Sequence, residues 1–381
     1  MRLAFTPEQE RYAARIRKFA GERIAPSYQE GDRTGEMRPG LVGELADQGL
    51  LGLRVPAVHG GVGADCVTTG AALEELARAD FNSCYAVLQS ALIADVLNGN
   101  ATDEQRRRWL PPIASGEALV ALCLTEPAHG SDAAALELRA EPDGDGWRLT
   151  GAKTSIMLGA HATHGLVFAR TGGPGARGVT AFYLALDDRH LTRTRTRDVG
   201  GRAAGRAELR FDGTPAGPED VVGGEGLGFV QVMRGFDYSR ALISLMCVGA
   251  ASASLEEALA HARSRHAFGG PIGRLQGVAF PLAEHATYLR AARLLAYEAL
   301  WLKDQGREHA VPANMAKSWA PKAAVEACHQ ALLTFGQLGW SEELPLGQRM
   351  RDVMGLEIGD GTAQVTRLVV ARQLLGRAYA P

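Results

Sequence analysis

Apolar residues recur with helical spacing through the first third of the chain. Tyr12, Ile16 and Phe19 fall on one side of a segment whose start is marked by Thr6 as N-cap and Pro7 at the first helical position. RPGLVGELADQGLLGL predicts a second helix ending near Gly49. VTTGAALEELARAD and SCYAVLQSALIADVLNGN predict two more, the latter so uniformly apolar that it belongs inside. TDEQRRRWLPPIASG predicts a short capped helix stopped by Pro111-Pro112. From about Ala118 the rhythm shortens. GWRLTGAKTSIML, THGLVFAR, GVTAFYLALD and RAELRFDG are alternating or β-branched runs between Gly, Pro and Asp turns, and they predict a small barrel or sandwich. Helical spacing returns at GFVQVMRGFDYSRALISLMCVGAASASLEEALAHARSRH and holds to the end. The expected organisation is a helical domain over 1–117, a β domain over 118–226 and a helical domain over 227–381. The fold class is mainly α with a β middle domain.

Composition narrows the partners. With 46% apolar residues, 22% charged residues and a formal net charge of −2, nothing electrostatic calls for nucleic acid or an anionic membrane. A length of 381 residues is long for a single core. The cysteines at 66, 84, 123, 247 and 328 show no CxxC or other metal spacing and read as reduced, buried thiols of a cytoplasmic protein. The stretch MRLAFTPEQERYAARIRKFAGERIAP is charged and periodic, unlike a signal peptide. No apolar run reaches the ~18 residues needed to span a bilayer.

Three stretches carry candidate chemistry. LCLTEPAHGSDAAAL opens the β domain: a strand runs into Thr125, and a Pro-Gly loop presents Thr125, Ser131 and several backbone N–H groups. Such a loop suits a flat heterocycle with carbonyl and phosphate oxygens, and equally reads as a polar loop in which Ser131-Asp132 caps a helix. HARSRHAFGGPIGRLQ sets Arg263 and Arg265 beside Phe268-Gly269 at a helix end, either for phosphate or as cations answering the helix dipole. EIGDGTAQVTR places one carboxylate, Asp360, between two glycines, which reads locally as a turn and helix cap. GGEGLGF lacks the βαβ setting of a dinucleotide fingerprint and reads as an interdomain joint. The pairs His161/His164 and His261/His266 lack a third ligand, so no metal is expected.

Together these stretches resemble the acyl-CoA dehydrogenase family of flavoproteins over nearly the whole chain. LTEPAHGSD resembles its flavin loop LTEPxxGSD, ARSRHAFGGPIGRLQ its RxxFGxPIxxxQ, FDYSRALISLMCVGAA its Asp-x-x-Arg helix, and RMRDVMGLEIGDGTAQVTR its RDxxxxxIxEGTxQ. The resemblance implies an N-terminal helical bundle, a central β-barrel and a C-terminal four-helix bundle. It implies a homotetramer or dimer with FAD at subunit contacts, an acyl-CoA substrate, and electron-transferring flavoprotein as acceptor. By the same resemblance Thr125, Ser131, Ser155 and Met157 hold the flavin from one subunit. Arg265, Phe268, Gln276, Gly336, Thr362 and Gln364 meet FAD at the subunit contact. Ser131, Asp237, Arg240, Gly361 and Arg372 lie near acyl-CoA. Asp360 stands where the family carries its catalytic Glu, which takes a proton from the carbon next to a thioester carbonyl.

The departures from the family pattern also carry expectations. Asp is one methylene shorter than Glu, a loss of reach of ~1.5 Å. Ser155 and Met157 replace the Trp and Thr of the K-x-W-I-T stretch, and Leu333 and Gln337 replace the usual Gln and Gly of QxxGGxG. Ser239 stands where some relatives keep an alternative Glu base, so Asp360 has no obvious substitute. The expected reaction is FAD-dependent α,β-dehydrogenation of an acyl thioester, alicyclic or branched, with cyclohexane-1-carbonyl-CoA as the specific candidate. The alternatives are a dehydrogenase of a carrier-protein-bound thioester in polyketide extender-unit synthesis, a nitroalkane-type oxidase that likewise uses Asp, and a non-catalytic flavin or acyl-CoA binder.

Overall fold

The computed structural model describes residues 4–186, 189–376 and 378–380. Residues 1–3 of the N-terminal stretch and Asp187, the last residue of the GVTAFYLALD run, lie outside them. Thr6 begins the first helix, α1 (Pro7–Phe19): its Oγ1 accepts from the Gln9 amide at 3.2 Å while Gln9 Oε1 accepts from the Thr6 amide at 3.0 Å. α2 (Tyr28–Thr34), α3 (Leu41–Asp47), α4 (Cys66–Ala79) and α5 (Cys84–Asn100) follow. Every position of α5 from 84 to 94 is buried, as a helix apolar on all sides requires.

α6 (Asp103–Ser115) corrects the expected stop at the prolines. It runs through Pro111 and Pro112 and ends only at Gly116, a left-handed cap with φ 79°. Two N–H donors are missing there, which weakens the turn. Burial of Trp109, Leu110 and Ile113 on either side of the pair offsets that loss.

The middle of the chain forms one seven-stranded sheet. Its strands are β1 (Val120–Cys123), β2 (Arg139–Asp143), β3 (Gly146–Ile156), β4 (His164–Arg170), β5 (Val179–Ala185), β6 (Leu191–Arg195) and β7 (Ala207–Ala216). The order is β1-β4-β2-β3-β7-β6, with β5 added on β4. The barrel or sandwich expected from the alternation is thus realised as a single curled sheet. β2 and β6 escape a reading by periodicity because RAEPD and LTRTR offer one large or small apolar residue apiece to the core, with charged neighbours outside.

The C-terminal part opens with the long α7 (Gly228–Ser264) and a short hairpin of β8 (His266–Ala267) and β9 (Gly270–Pro271). It continues as α8 (Gln276–Asp304), α9 (Ala310–Phe335), α10 (Gln337–Trp340), α11 (Leu346–Met354) and α12 (Ala363–Leu375). α7, α8, α9 and α12 make the bundle, and α4 leans on α7 from the N-terminal side. On length and composition α7 would also pass for a membrane span, but 72% of its apolar window is buried inside the protein, so it is a core helix. All five cysteines are buried and unpaired.

One carboxylate ties the three parts together. Asp352 of α11, 1% exposed, accepts from Tyr28 Oη at 2.6 Å, Asn82 Nδ2 at 3.0 Å and the Gly201 amide at 2.7 Å. Tyr28 begins α2, Asn82 lies in the turn between α4 and α5, and Gly201 comes from the loop between β6 and β7. The neighbouring Arg351 reaches the Val199 carbonyl at 3.0 Å and pairs with Asp32. The approach is so close that a Cβ on Gly200 would lie 2.4 Å from the Arg351 carbonyl oxygen.

Asp352→Ala strands three buried donors, and each unmet buried group costs about 1–3 kcal/mol. We expect a clear drop in the thermal unfolding midpoint, with a smaller drop for Asp352→Asn, which keeps one acceptor oxygen. Equal midpoints for wild type and the Ala variant in a circular-dichroism melt would show that the knot contributes nothing.

Candidate active site

Asp360 sits in the turn between α11 and α12 with φ 54°, a left-handed conformation that Asp tolerates better than most residues. Gly361 follows at φ 97°, and Gly359 keeps an ordinary negative φ. The strain therefore falls on the acid and the glycine after it. A Cβ on Gly361 would come within 3.2 Å of Arg240 Nη2, so that glycine is also needed for closeness.

α7 supplies the partners of this turn. Ser239 Oγ donates to Asp360 Oδ2 at 3.0 Å, and Arg240 Nε donates to the Asp360 backbone carbonyl at 3.2 Å. Arg240 Nη1 also reaches Asp237 Oδ1 at 3.3 Å, and that same oxygen accepts from Asn314 Nδ2 of α9 at 3.0 Å. Asp360 Oδ1 has no hydrogen-bond partner among the described residues. One oxygen is anchored and the other is free to take a proton. Burial pushes the Asp360 carboxyl above its ordinary value, while Lys317, the Ser239 hydroxyl and Arg240 pull it back.

A second cluster forms on the β domain. A register shift between Lys153 and Ile156 leaves Ser155 outside the β3–β7 ladder, with φ 56°. The Thr154 amide turns instead to the Thr125 carbonyl at 2.8 Å, stitching the end of β1 to β3. Beneath them Lys153, 0% exposed, donates to Glu126 Oε1 at 2.7 Å and to the Leu124 carbonyl at 2.9 Å. Glu126 also accepts from the Leu138 amide at 2.8 Å and the Glu137 amide at 2.5 Å, which pins the loop at both ends. Burial draws the Lys153 ammonium down to about 8, against the pull of Glu126. Ser131 is exposed at the rim of this loop, and neither it nor Asp132 caps the short turn 133–135 with a side chain. The capping alternative is thereby removed. Amides and hydroxyls on a fixed, open loop remain, which is a donor set for a flat polar ring.

The remaining candidates lie on the C-terminal bundle. Arg265 is the C-cap of α7, Phe268 is 94% exposed at φ 53° in the β8–β9 turn, and Gln276 begins α8. Gly336 joins α9 to α10, held near the end of α7 by Phe335 stacking on His261 at 4.2 Å. Thr362 is the N-cap of α12, with Oγ1 accepting from the Val365 amide at 3.3 Å, and Gln364, the second residue of the helix, is exposed. Arg372 lies in the last turn of α12. So Asp237, Arg240, Asp360 and Gly361 are gathered in one hydrogen-bonded group, and Thr125 and Ser155 in another. Met157 flanks the latter and lies 4.0 Å from where a Cβ on Gly201 would be. No hydrogen bond, ion pair or ring contact among the described residues joins Arg265, Phe268 or Gln276 to either group.

Reading the sequence missed several of these partners. The sequence marks Ser239 only by the carboxylate it lacks, yet its hydroxyl holds the acid. Arg206 stands beside Ser155, donating to its Oγ at 2.9 Å while pairing with Asp198. Lys317 lies under the Asp360 turn. The signal for Lys317 was present as a lone cation among alanines in ANMAKSWAP, a setting where an unpaired charge is too costly to keep.

Comparison with known proteins gives matches in all three parts of the chain. Family profiles described as the N-terminal, middle and C-terminal domains of acyl-CoA dehydrogenase match residues 6–117, 121–214 and 226–375. The chain is 34% identical to the probable acyl-CoA dehydrogenase YngJ of Bacillus subtilis over 98% of this chain and 100% of that one. Butyryl-CoA dehydrogenase from Megasphaera elsdenii superposes with a TM-score of 0.95 at 31% identity, covering 98% and 100% of the two chains. The prolyl acyl carrier protein oxidase AnaB superposes at 0.93 with 27% identity, covering 97% and 100%.

Removing one partner of the buried Glu126–Lys153 pair leaves a charge without its counter-ion. Lys153→Met should cost about 3–5 kcal/mol in urea unfolding, and adding Glu126→Gln should recover part of it. Strictly additive losses in the double variant would mean that the two do not act as a pair.

Proposed function

The chain belongs to the acyl-CoA dehydrogenase family, whose members carry out FAD-dependent dehydrogenation, and from that premise we propose that Asp360 is the catalytic base of an acyl-thioester α,β-dehydrogenase. The observation that carries this reading is the asymmetry of its carboxylate: Oδ2 is fixed by Ser239, and Oδ1 has no partner among the described residues. A base must be rigid in position and free at one oxygen. Desolvation raises its affinity for a proton, which suits a group that must take one from carbon. Bound FAD supplies the acceptor for the hydride that leaves the β-carbon.

The residues of the β domain fit that cofactor. The open amides around Gly130 and Ser131, the Thr125 hydroxyl and the bulged Ser155 would hold the flavin, with Met157 beside it. Among the described residues no hydrogen bond, ion pair or ring contact joins Arg265, Phe268, Gln276, Gly336, Thr362 or Gln364 on the bundle to that patch, and in this reading they serve a cofactor at a subunit contact. A lone chain also leaves Phe268, Trp340, Leu374 and Leu375 bare at 94%, 84%, 67% and 58% exposure, which supports a homotetramer or dimer. Ser131, Asp237, Arg240, Gly361 and Arg372 would meet the acyl-CoA. Electron-transferring flavoprotein is the acceptor in this reading.

The short acid favours a substrate broad at its reacting carbons, an alicyclic or branched acyl-CoA such as cyclohexane-1-carbonyl-CoA. A second reading, an acyl group on a carrier protein, is favoured by the likeness to AnaB. Anaerobic flavin bleaching against a panel of acyl-CoAs and pantetheine-bound carrier thioesters separates the two. Bleaching by no thioester of either kind would overturn both.

Asp360→Asn should lose about 10²–10⁴-fold in flavin reduction while FAD and acyl-CoA binding stay nearly intact. The base must be ionised to act, so reduction by wild type should rise with pH through a midpoint above that of an ordinary Asp carboxyl. Ser239→Ala removes a bond to the ionised form and should move that midpoint higher still. A midpoint lowered by Ser239→Ala would contradict the assignment.

Asp360→Glu adds one methylene to the space opposite the substrate. Overfilling a packed site costs about 1–3 kcal/mol, or roughly 5- to 160-fold in kcat/KM. The loss should fall on alicyclic and branched thioesters and spare straight chains. A uniform gain across the panel would end the shape argument.

A further inference from the structure

Lys317 lies about two turns into α9, 1% exposed, between the small residues Ala313, Ala316 and Ala320. Its Nζ donates to the Leu356 carbonyl at 2.7 Å and to the Gly361 carbonyl at 2.9 Å. Those two oxygens bracket the turn 357–360, whose last residue is Asp360. A single ammonium therefore closes the turn from beneath, where the backbone has left-handed angles at both Asp360 and Gly361. We propose that Lys317 is a positioning residue of this enzyme, fixing the Asp360 turn through its two carbonyls and keeping a buried cation beneath the base. The proposal rests on Asp360 acting as the base.

The charges around the pair give Lys317 this role rather than Arg240. From α7, Arg240 faces the turn, but Asp237 shares its charge at 3.3 Å. Ser239 contributes a neutral hydroxyl. Cys247 of α7 and Tyr85 of α5 also lie close, and burial pushes both above their ordinary values, so they stay neutral. The turn itself adds Glu357 and Asp360, both of which support the Lys317 charge, while burial draws the ammonium down to about 8. Among the groups that pull the Asp360 carboxyl downward, Lys317 has the largest effect. The same cation thus stabilises both the shape of the turn and the ionised base.

The two duties separate by substitution. Lys317→Arg keeps a cation, Lys317→Gln keeps donors without charge, and Lys317→Met keeps neither. Each holoenzyme is checked for FAD content and unfolding midpoint, then reduced anaerobically across pH with an acyl-CoA that bleaches wild type. In Gln and Met the reduction midpoint should rise by on the order of one pH unit. In Met the limiting rate should also fall by about 10²-fold, because the turn is no longer fixed. Arg should keep a midpoint near wild type. If Met loses its FAD, Gln against Arg carries the comparison. Unmoved midpoints in the charge-free variants overturn the role given to Lys317. Asp360→Asn in the same assay tells the two failures apart: an inert Asn variant leaves the base reading standing, and an active one removes it.

Discussion

The arrangement of this enzyme depends on burying one carboxylate among three donors drawn from different parts of the chain. Asp352 must stay within bonding distance of Tyr28, Asn82 and the Gly201 amide at once. That requirement fixes α11 against both the N-terminal helices and the β sheet. The chain leaving α11 can then reach only a small volume, and it is there that Asp360 turns back toward α7. Burial raises the Asp352 carboxyl to about 7, with Tyr28 and Gly201 holding it down. The knot is therefore costly in desolvation and specific in geometry, a balance typical of buried polar networks.

The three-part organisation is legible in the sequence because each part has its own hydrophobic period. α5 announces itself as a core helix, since no polar face interrupts it. The strands with branched apolar residues, β3, β4 and β5, are equally plain. β2 and β6 are not, because a short strand with one inward residue has no period to read. The prolines of α6 misled for a different reason: local propensity argues for a stop, and tertiary burial of Trp109, Leu110 and Ile113 overrides it.

The acid at 360 could be found by motif, and so could Asp237 and Arg240, but not how they meet it. Ser239 and Arg240 are adjacent in sequence, yet they grip different atoms of the same residue, one the carboxylate and one the carbonyl. Lys317 approaches from a third helix. Glu126 and Lys153 likewise belong to two separate motifs, and nothing in either string says that they meet in the dark of the sheet. Motifs mark the residues that face a ligand. The residues that hold those in place are recorded only in the packing.

The buried thiols have a practical consequence. Only a thiolate reacts with an alkylating reagent, and burial pushes Cys123 up to about 12 and Cys328 up to about 11, with Cys66, Cys84 and Cys247 raised as well. None can be labelled until its own element opens. Cys66 and Cys84 lie in the N-terminal helices, Cys123 on β1, Cys247 and Cys328 in the bundle. The native chain thus carries a built-in set of chemical clocks, at least one in each part of the fold. Their separate labelling rates would map which regions breathe independently and which open only when the whole protein does.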